Sequence, residues 1–170
     1  MVYSMKRRFC TLIITLLLAL SISAWQVNAA GGGGGDDDVD KPVSDEQINF
    51  DAGVRAVYAG KYDKAIELMA KVLKDNSKNA DAYNYLGFSF RKKGDLKLAA
   101  SAYKEALDIN PDHKGALEYQ GEMYLKLGNV SRAKSNLFHL ERLCSNGCKE
   151  LAELKRAIAD YAATHPNRGS

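Results

Sequence analysis

The chain is poor in the features that mark most biochemical classes. Its 170 residues include three histidines and three cysteines. They hold no Ser-His-Asp arrangement in a suggestive setting and no His-Glu-x-x-His. The run Gly31 to Gly35 is no phosphate loop, because no strand pattern precedes it and no Lys-Ser/Thr follows it. The acidic cluster Asp36 to Asp38 with Asp40 lacks the Asp-x-Asp-x-Asp-Gly spacing of a calcium loop. These absences argue against an enzyme and imply no cofactor and no metal. Long apolar runs are also missing. Thr11 to Ala24 offers 14 residues, short of the roughly 20 that a membrane-spanning helix needs.

That run has other flanks to explain it. Lys6-Arg7-Arg8 precedes it and Val27-Asn28-Ala29 follows, which is the layout of a secretory signal. Residues 1–29 are therefore expected to be a leader, cleaved after Ala29. An uncleaved anchor is the alternative, and Met5 is an alternative start. Phe9 stands one residue too early for the twin-arginine motif, which favours the general secretory route and a periplasmic destination, with secretion as the alternative. Cys10 precedes the apolar run, so no lipid anchor is expected. Residues 30–45 read as a flexible Gly/Asp linker.

Net charge is lacking once the leader is set aside. Three of the 24 Lys and Arg residues are Lys6, Arg7 and Arg8, leaving 21 against 21 Asp and Glu. The basic balance belongs to the leader, and a nucleic-acid partner loses its compositional support. Arg91-Lys92-Lys93 is a short run at an expected helix C-terminus, where cations suit the dipole.

Outside the leader the cysteines are Cys144 and Cys148, an even count that in an exported chain favours a disulfide. Asn146-Gly147 between them is turn chemistry, which brings the two within bridging distance. A redox site would want Cys-x-x-Cys in a βαβ setting, and His139 lies on a different helix face from Cys144. Redox or metal use of the pair stays open as the lesser reading.

What the chain does have is a beat of 34 residues. Gly53, Gly87 and Gly121 form one set, Gly60, Gly94 and Gly128 a second, and Ala65, Ala99 and Ala133 a third. Three small-residue positions in one register indicate an array. Within the middle period, Tyr83, Leu86 and Phe90 form one helical face, and Ala99, Ala102, Tyr103, Ala106 and Leu107 a second. Gly94-Asp95 stops the first helix and Pro111 ends the second. Ser44 with Gln47 reads as a capping box that opens the first helix of the array. A last helix is expected from about Lys149 to Ala163, with Leu151, Leu154, Ile158 and Tyr161 in one stripe. Its other face carries Glu153, Lys155, Arg156 and Asp160, as a solvated cap should.

The middle unit resembles a tetratricopeptide repeat. Tyr83, Leu86-Gly87, Phe90, Ala99, Tyr103, Ala106 and Pro111 stand at the family's aromatic, Leu-Gly, Ala and Pro places. The flanking units share the register but depart from it, with Asn49 for the first aromatic and Ser77 and Ser145 for the prolines. The resemblance implies an all-α fold, an α-solenoid of three helix hairpins plus a C-terminal capping helix. The units would be 46–79, 80–113 and 114–147, with the cap over 148–163 and a frayed tail over 164–170.

The resemblance also implies a concave groove lined by the first helix of each hairpin, binding another protein or a peptide segment. The first unit would supply Gln47, Phe50, Val54, Val57 and Tyr58. The second would supply Asp81, Asn84, Phe88, Arg91 and Lys92, and the third Gly115, Glu118, Glu122, Leu125 and Lys126, with Tyr85 and Tyr119 one place along. The groove is expected to run from an apolar end (Phe50, Val54, Val57) through an aromatic middle (Tyr85, Phe88) to an acidic end (Glu118, Glu122). One alternative is that Phe50 and Phe88 pack into neighbouring helices. Another is that the array self-associates into a homo-oligomer. The family's carboxylate clamp for chaperone C-termini needs Lys and Asn where this chain has Phe50 and Val54. His113 and His139 are expected at the surface.

Overall fold

The computed structural model describes residues 43–166. The expected leader, nearly all of the linker and the last four residues lie outside the described residues. Within that range the chain forms seven helices and no strand: α1 (Asp45–Tyr58), α2 (Tyr62–Asp75), α3 (Ala80–Lys93), α4 (Leu96–Ile109), α5 (Lys114–Lys126), α6 (Val130–Leu143) and α7 (Lys149–Thr164). The helices pack as the hairpins α1–α2, α3–α4 and α5–α6, and α2 on α3 and α4 on α5 stack the hairpins into an all-α solenoid.

The helix ends follow from their side chains. Each hairpin turns on a glycine of positive φ, Gly60 at 69°, Gly94 at 90° and Gly128 at 72°, where a β-carbon would be strained. Asp95 Oδ1 then accepts from the Leu98 N–H at 3.0 Å, and Asn129 Oδ1 from Arg132 at 3.1 Å. Each satisfies one of the donors orphaned at a helix start. Ser44 and Asn79 do the same for α1 and α3, accepting from Gln47 at 3.2 Å and Ala82 at 2.9 Å. Only half of the expected capping box forms, because Gln47 Nε2 donates to Asp51 at 2.9 Å instead of turning back. His113 is no plain surface residue. Its Nδ1 accepts from the Ala116 N–H at 3.1 Å, capping α5, which leaves Nε2–H to meet Asp81 Oδ1 at 3.1 Å.

The buried small residues act as spacers. Ala65, Ala99 and Ala133 are fully buried. A β-carbon on Gly87 would come within 2.7 Å of the Tyr103 ring, and one on Gly53 within 2.7 Å of the Met69 methyl, so both let the helices of a hairpin cross closely. Gly121 differs. Its close neighbour is Leu154 of α7, at 2.7 Å from where a β-carbon would be, and not a residue of α6. The third glycine therefore admits the last helix.

That helix does more than cover the end of the array. Cys144 and Cys148 are bridged, with Cα atoms 5.6 Å apart, and the Gly147 N–H donates to the Cys144 carbonyl at 2.8 Å to close the turn. From there α7 packs on both α5 and α6, more extensively on α5, whereas the backbones of α1, α3 and α5 stand further apart and meet through long side chains. Leu151 and Leu154 bury against Leu117 and Leu140. Glu153, expected on the solvated face, is drawn against α5 by the same packing.

Candidate functional site

The first helices α1, α3 and α5 carry a row of aromatic rings. Phe50 of α1 meets Tyr85 of α3 edge-on, with centroids 5.9 Å apart. Phe88 of α3 lies 4.9 Å from Tyr119 of α5 and 6.3 Å from Tyr62 of α2. All of these rings are half-buried, so they support neighbouring helices and still present an edge or face to solvent. Val54 is half-buried beside Met69 and Val72, and Val57 is buried beside Ala65, so the expected apolar end is largely used up by packing.

The charges are also partly spent. Arg91 is only 4% exposed. Its Nη1 sits 2.6 Å from Glu122 Oε2, and its guanidinium lies 5.3 Å from the Phe88 ring centroid and 5.5 Å from that of Tyr119. A buried cation of this kind persists only when paired and stacked. The pair ties α3 to α5 beside both rings. Lys92 remains exposed, with Nζ 5.1 Å from the Phe88 centroid. Lys126 is exposed but stands beside Asp160 and Tyr161 of α7, apart from the aromatic row.

Glu118 corrects the expected acidic end most sharply. It is 2% exposed, not offered to solvent. Burial pushes its carboxyl up to about 8, and the Glu153 carboxyl against it, with Glu122 and Glu150 nearby, pushes the same way. The Tyr85 and Tyr119 phenols are also raised above their ordinary value, chiefly by burial.

A cavity of about 230 Å³ opens between Tyr58, Asn84, Tyr85, Glu118, Tyr119 and Glu150. Asn84 Oδ1 and Glu118 Oε1 are buried there without a hydrogen-bond partner. Four elements thus meet around one opening: the end of α1, the start of α3, the start of α5 and the start of α7. Tyr58, Asn84, Tyr85, Glu118 and Tyr119 are all expected groove residues, whereas Lys149 and Glu150 of the α7 wall are not. Glu150 and Glu153 are three residues apart and so share a helix face, but nothing in the sequence says that this face meets α5.

Comparison with known proteins places the array. The chain is 33% identical over 93 residues to the BBSome complex member BBS4 of Bos taurus, a match covering 55% of this chain and 18% of that protein. It is 36% identical over 106 residues to the probable UDP-N-acetylglucosamine–peptide N-acetylglucosaminyltransferase SPINDLY of Hordeum vulgare, covering 62% of this chain and 10% of that protein. The chain spans less than a fifth of the length of either relative. Among solved structures, the first repeat domain of Spaghetti (RPAP3) bound to the HSP90 peptide SRMEEVD superposes with a TM-score of 0.61 at 19% identity, covering 69% of this chain and 94% of that one. At that identity the likeness is one of fold. The tetratricopeptide repeat pattern itself matches residues 50–114 and 89–134, half of the chain. With the register, the paired helices and the spacer glycines in agreement, the chain belongs to the tetratricopeptide repeat family.

Proposed function

We propose that this chain is a non-enzymatic protein-interaction module, an adaptor or assembly factor, that seats a partner segment along α1, α3 and α5. The observation that carries the reading is the row Phe50, Tyr85, Phe88 and Tyr119, half-exposed on three successive first helices. Aromatic faces held rigid by packing are good anchors for a peptide, because little conformational entropy is lost when they bind. RPAP3 holds a peptide on the same fold. The peptide expected here is of another kind, since Phe50 and Val54 stand where the clamp for a chaperone C-terminus would need Lys and Asn.

Export to an oxidising compartment, the periplasm, belongs to the same reading. It rests on the layout of residues 1–29 and agrees with the Cys144–Cys148 bridge, since disulfides persist where thiols are not kept reduced. Fractionation with N-terminal sequencing of the exported chain should find a start at Ala30.

The groove is tested by capture with cross-linking. Cross-links from a captured partner should fall on α1, α3 and α5, and Phe88→Ala should weaken capture about tenfold, the loss of one anchor. Cross-links confined to the outer faces of α4 and α6 would overturn the groove. They would favour self-association instead, for which Phe138 of α6, 62% exposed, is the motivating residue.

A further inference from the structure

The cavity beside the aromatic row has a chemical bias that the row itself lacks. Its wall is built from hydrogen-bond acceptors and π-faces. Asn84 and Glu118 both line the cavity, are 5% and 2% exposed, and each has a buried side-chain oxygen without a hydrogen-bond partner. Tyr58, Tyr85 and Tyr119 supply three rings, and Asp81 and Glu150 add carboxylates at the rim. Buried acceptors without partners are rare because each costs its lost hydration. Two at one opening point to a ligand that donates.

The chain's own cations do not meet this need. Arg91 is committed to Glu122. His113 caps α5 through one ring nitrogen and meets Asp81 through the other. Lys149 stands at the rim with Nζ 3.9 Å from Glu153 Oε1 and most of its side chain in solvent. An anionic ligand would find Lys149 and the start of α7, but it would have to lie against Glu118, Glu150 and Asp81. A cation surrounded by tyrosine rings and carboxyl oxygens gains from both.

We propose that this cavity receives one basic side chain, the ammonium of a lysine or the guanidinium of an arginine, from the partner segment lying on α1, α3 and α5. The inference rests on the groove reading and names the chemistry of its partner. The space suits a single side chain and not a helix. The donor would bond Asn84 Oδ1 and Glu118 Oε1, and Tyr58 would fold over it from the exposed end of α1, where it is 81% exposed. The charged and titratable groups around the site are Tyr58 on α1, Asp81 and Tyr85 on α3, His113 at the start of α5, Glu118 and Tyr119 on α5, and Lys149 and Glu150 on α7, with Glu122 and Glu153 beside Glu118. Glu118 is the one pushed into the neutral range, to about 8. Seating a cation therefore favours the loss of its proton, and binding should tighten as pH rises through that value.

Four capped amino acids serve as probes against the full chain: acetyl-lysine amide, acetyl-arginine amide, the uncharged acetyl-norleucine amide and the anionic acetyl-glutamate amide. NMR titration should show a cationic probe, and not norleucine, shifting the Asn84 side-chain amide and the Gly115 and Tyr119 backbone amides. Which cationic probe binds tighter identifies the side chain. Affinity should rise about tenfold between pH 6.5 and pH 9. Glu118→Gln keeps the shape, and should lower affinity by about tenfold at pH 9, leave it little changed at pH 6.5, and so abolish the pH dependence. Lys149→Ala, which removes the competing cation, should leave binding intact or strengthen it. The proposal is overturned if norleucine binds as well as the cations, if acetyl-glutamate amide binds in their place, or if no probe shifts these resonances. Such a failure is distinct from failure of the groove. Phe88→Ala would still weaken partner capture in the first case, whereas in the second the cations would bind while partner cross-links fell on other helices.

Discussion

Glu118 shows how one residue changes the pH response of the fold. Its folded carboxyl titrates near 8 against an ordinary 4.5, because it is buried against other carboxyls. Between those values the folded chain keeps a proton that the unfolded chain releases. Its contribution to stability is therefore present below about pH 4.5 and is lost as pH rises toward 8. Glu118→Gln removes the titration while keeping the shape. The variant should match the parent at pH 5 and exceed it at pH 9 by on the order of 2 kcal/mol, after discounting for local relaxation. Urea midpoints for both proteins at both pH values decide it, and an equal difference at pH 5 and 9 would count against the burial argument. The spacer glycines make a second comparison. An added methyl at Gly87 meets the rigid Tyr103 ring, whereas at Gly53 it meets the flexible end of Met69. Gly87→Ala should cost about 2–3 kcal/mol by overpacking. In Gly53→Ala the gain in helix propensity, about 1 kcal/mol, offsets most of the clash. Denaturation that ranked the two equally would show that Tyr103 can yield.

At the scale of the helix, α7 is the element whose role differs from its sequence-based expectation. Its apolar stripe predicted that it would dock, and Leu151 and Leu154 do bury against Leu117 and Leu140. The stripe did not say on which neighbour. Burial at Gly121, with space for a Leu side chain and no β-carbon of its own, turns α7 toward α5. The Cys144–Cys148 bridge fixes the exit from α6. Reducing it, or replacing both cysteines with serine, should lower stability by roughly 2 kcal/mol through the entropy of a short closed loop. The loss should appear in a thermal or urea transition, and no change on reduction would leave the bridge without a structural role. The same contrast explains what the sequence could and could not reveal. Hairpin turns, caps and the spacers Gly53 and Gly87 depend on neighbours close in the chain, so a register of 34 residues exposed them, whereas the role of Gly121 depends on α7. The pairing of Arg91 with Glu122 and the burial of Glu118 by Glu153 depend on side chains from different repeats, and no periodic position records them.

For the whole array, the two described ends differ in how they are held. The buried residues of α1 are small, Gly53, Ala56 and Val57. Ile48 in its first half is 52% exposed. Its Glu46 Oε1 accepts from Asn76 and Asn79, just past α2, at 2.9 and 3.2 Å, and Phe50 meets Tyr85 of the next repeat edge-on. Helix α7 has two buried leucines, a disulfide at its start, and Lys155 Nζ 2.9 Å from Glu141 Oε1 of α6. The middle is held best, since Tyr103 and Met123 are fully buried between α4 and α5. Stacked repeats draw their stability from nearest neighbours, so opening should begin where those contacts are fewest. In the oxidised chain, amides of α1 should exchange through openings about 2 kcal/mol easier than those of α5, with α7 close to α5. Reduction should then move α7, and leave α1 where it was. Native-state hydrogen exchange under both conditions reads the two ends separately. Equal protection of α1 and α5 in the oxidised chain would mean that the array opens as one unit. Early exchange of α7 before reduction would mean that its packing on α5 is weaker than its buried leucines imply, and the cavity wall formed by Glu150 would then be only partly formed in solution.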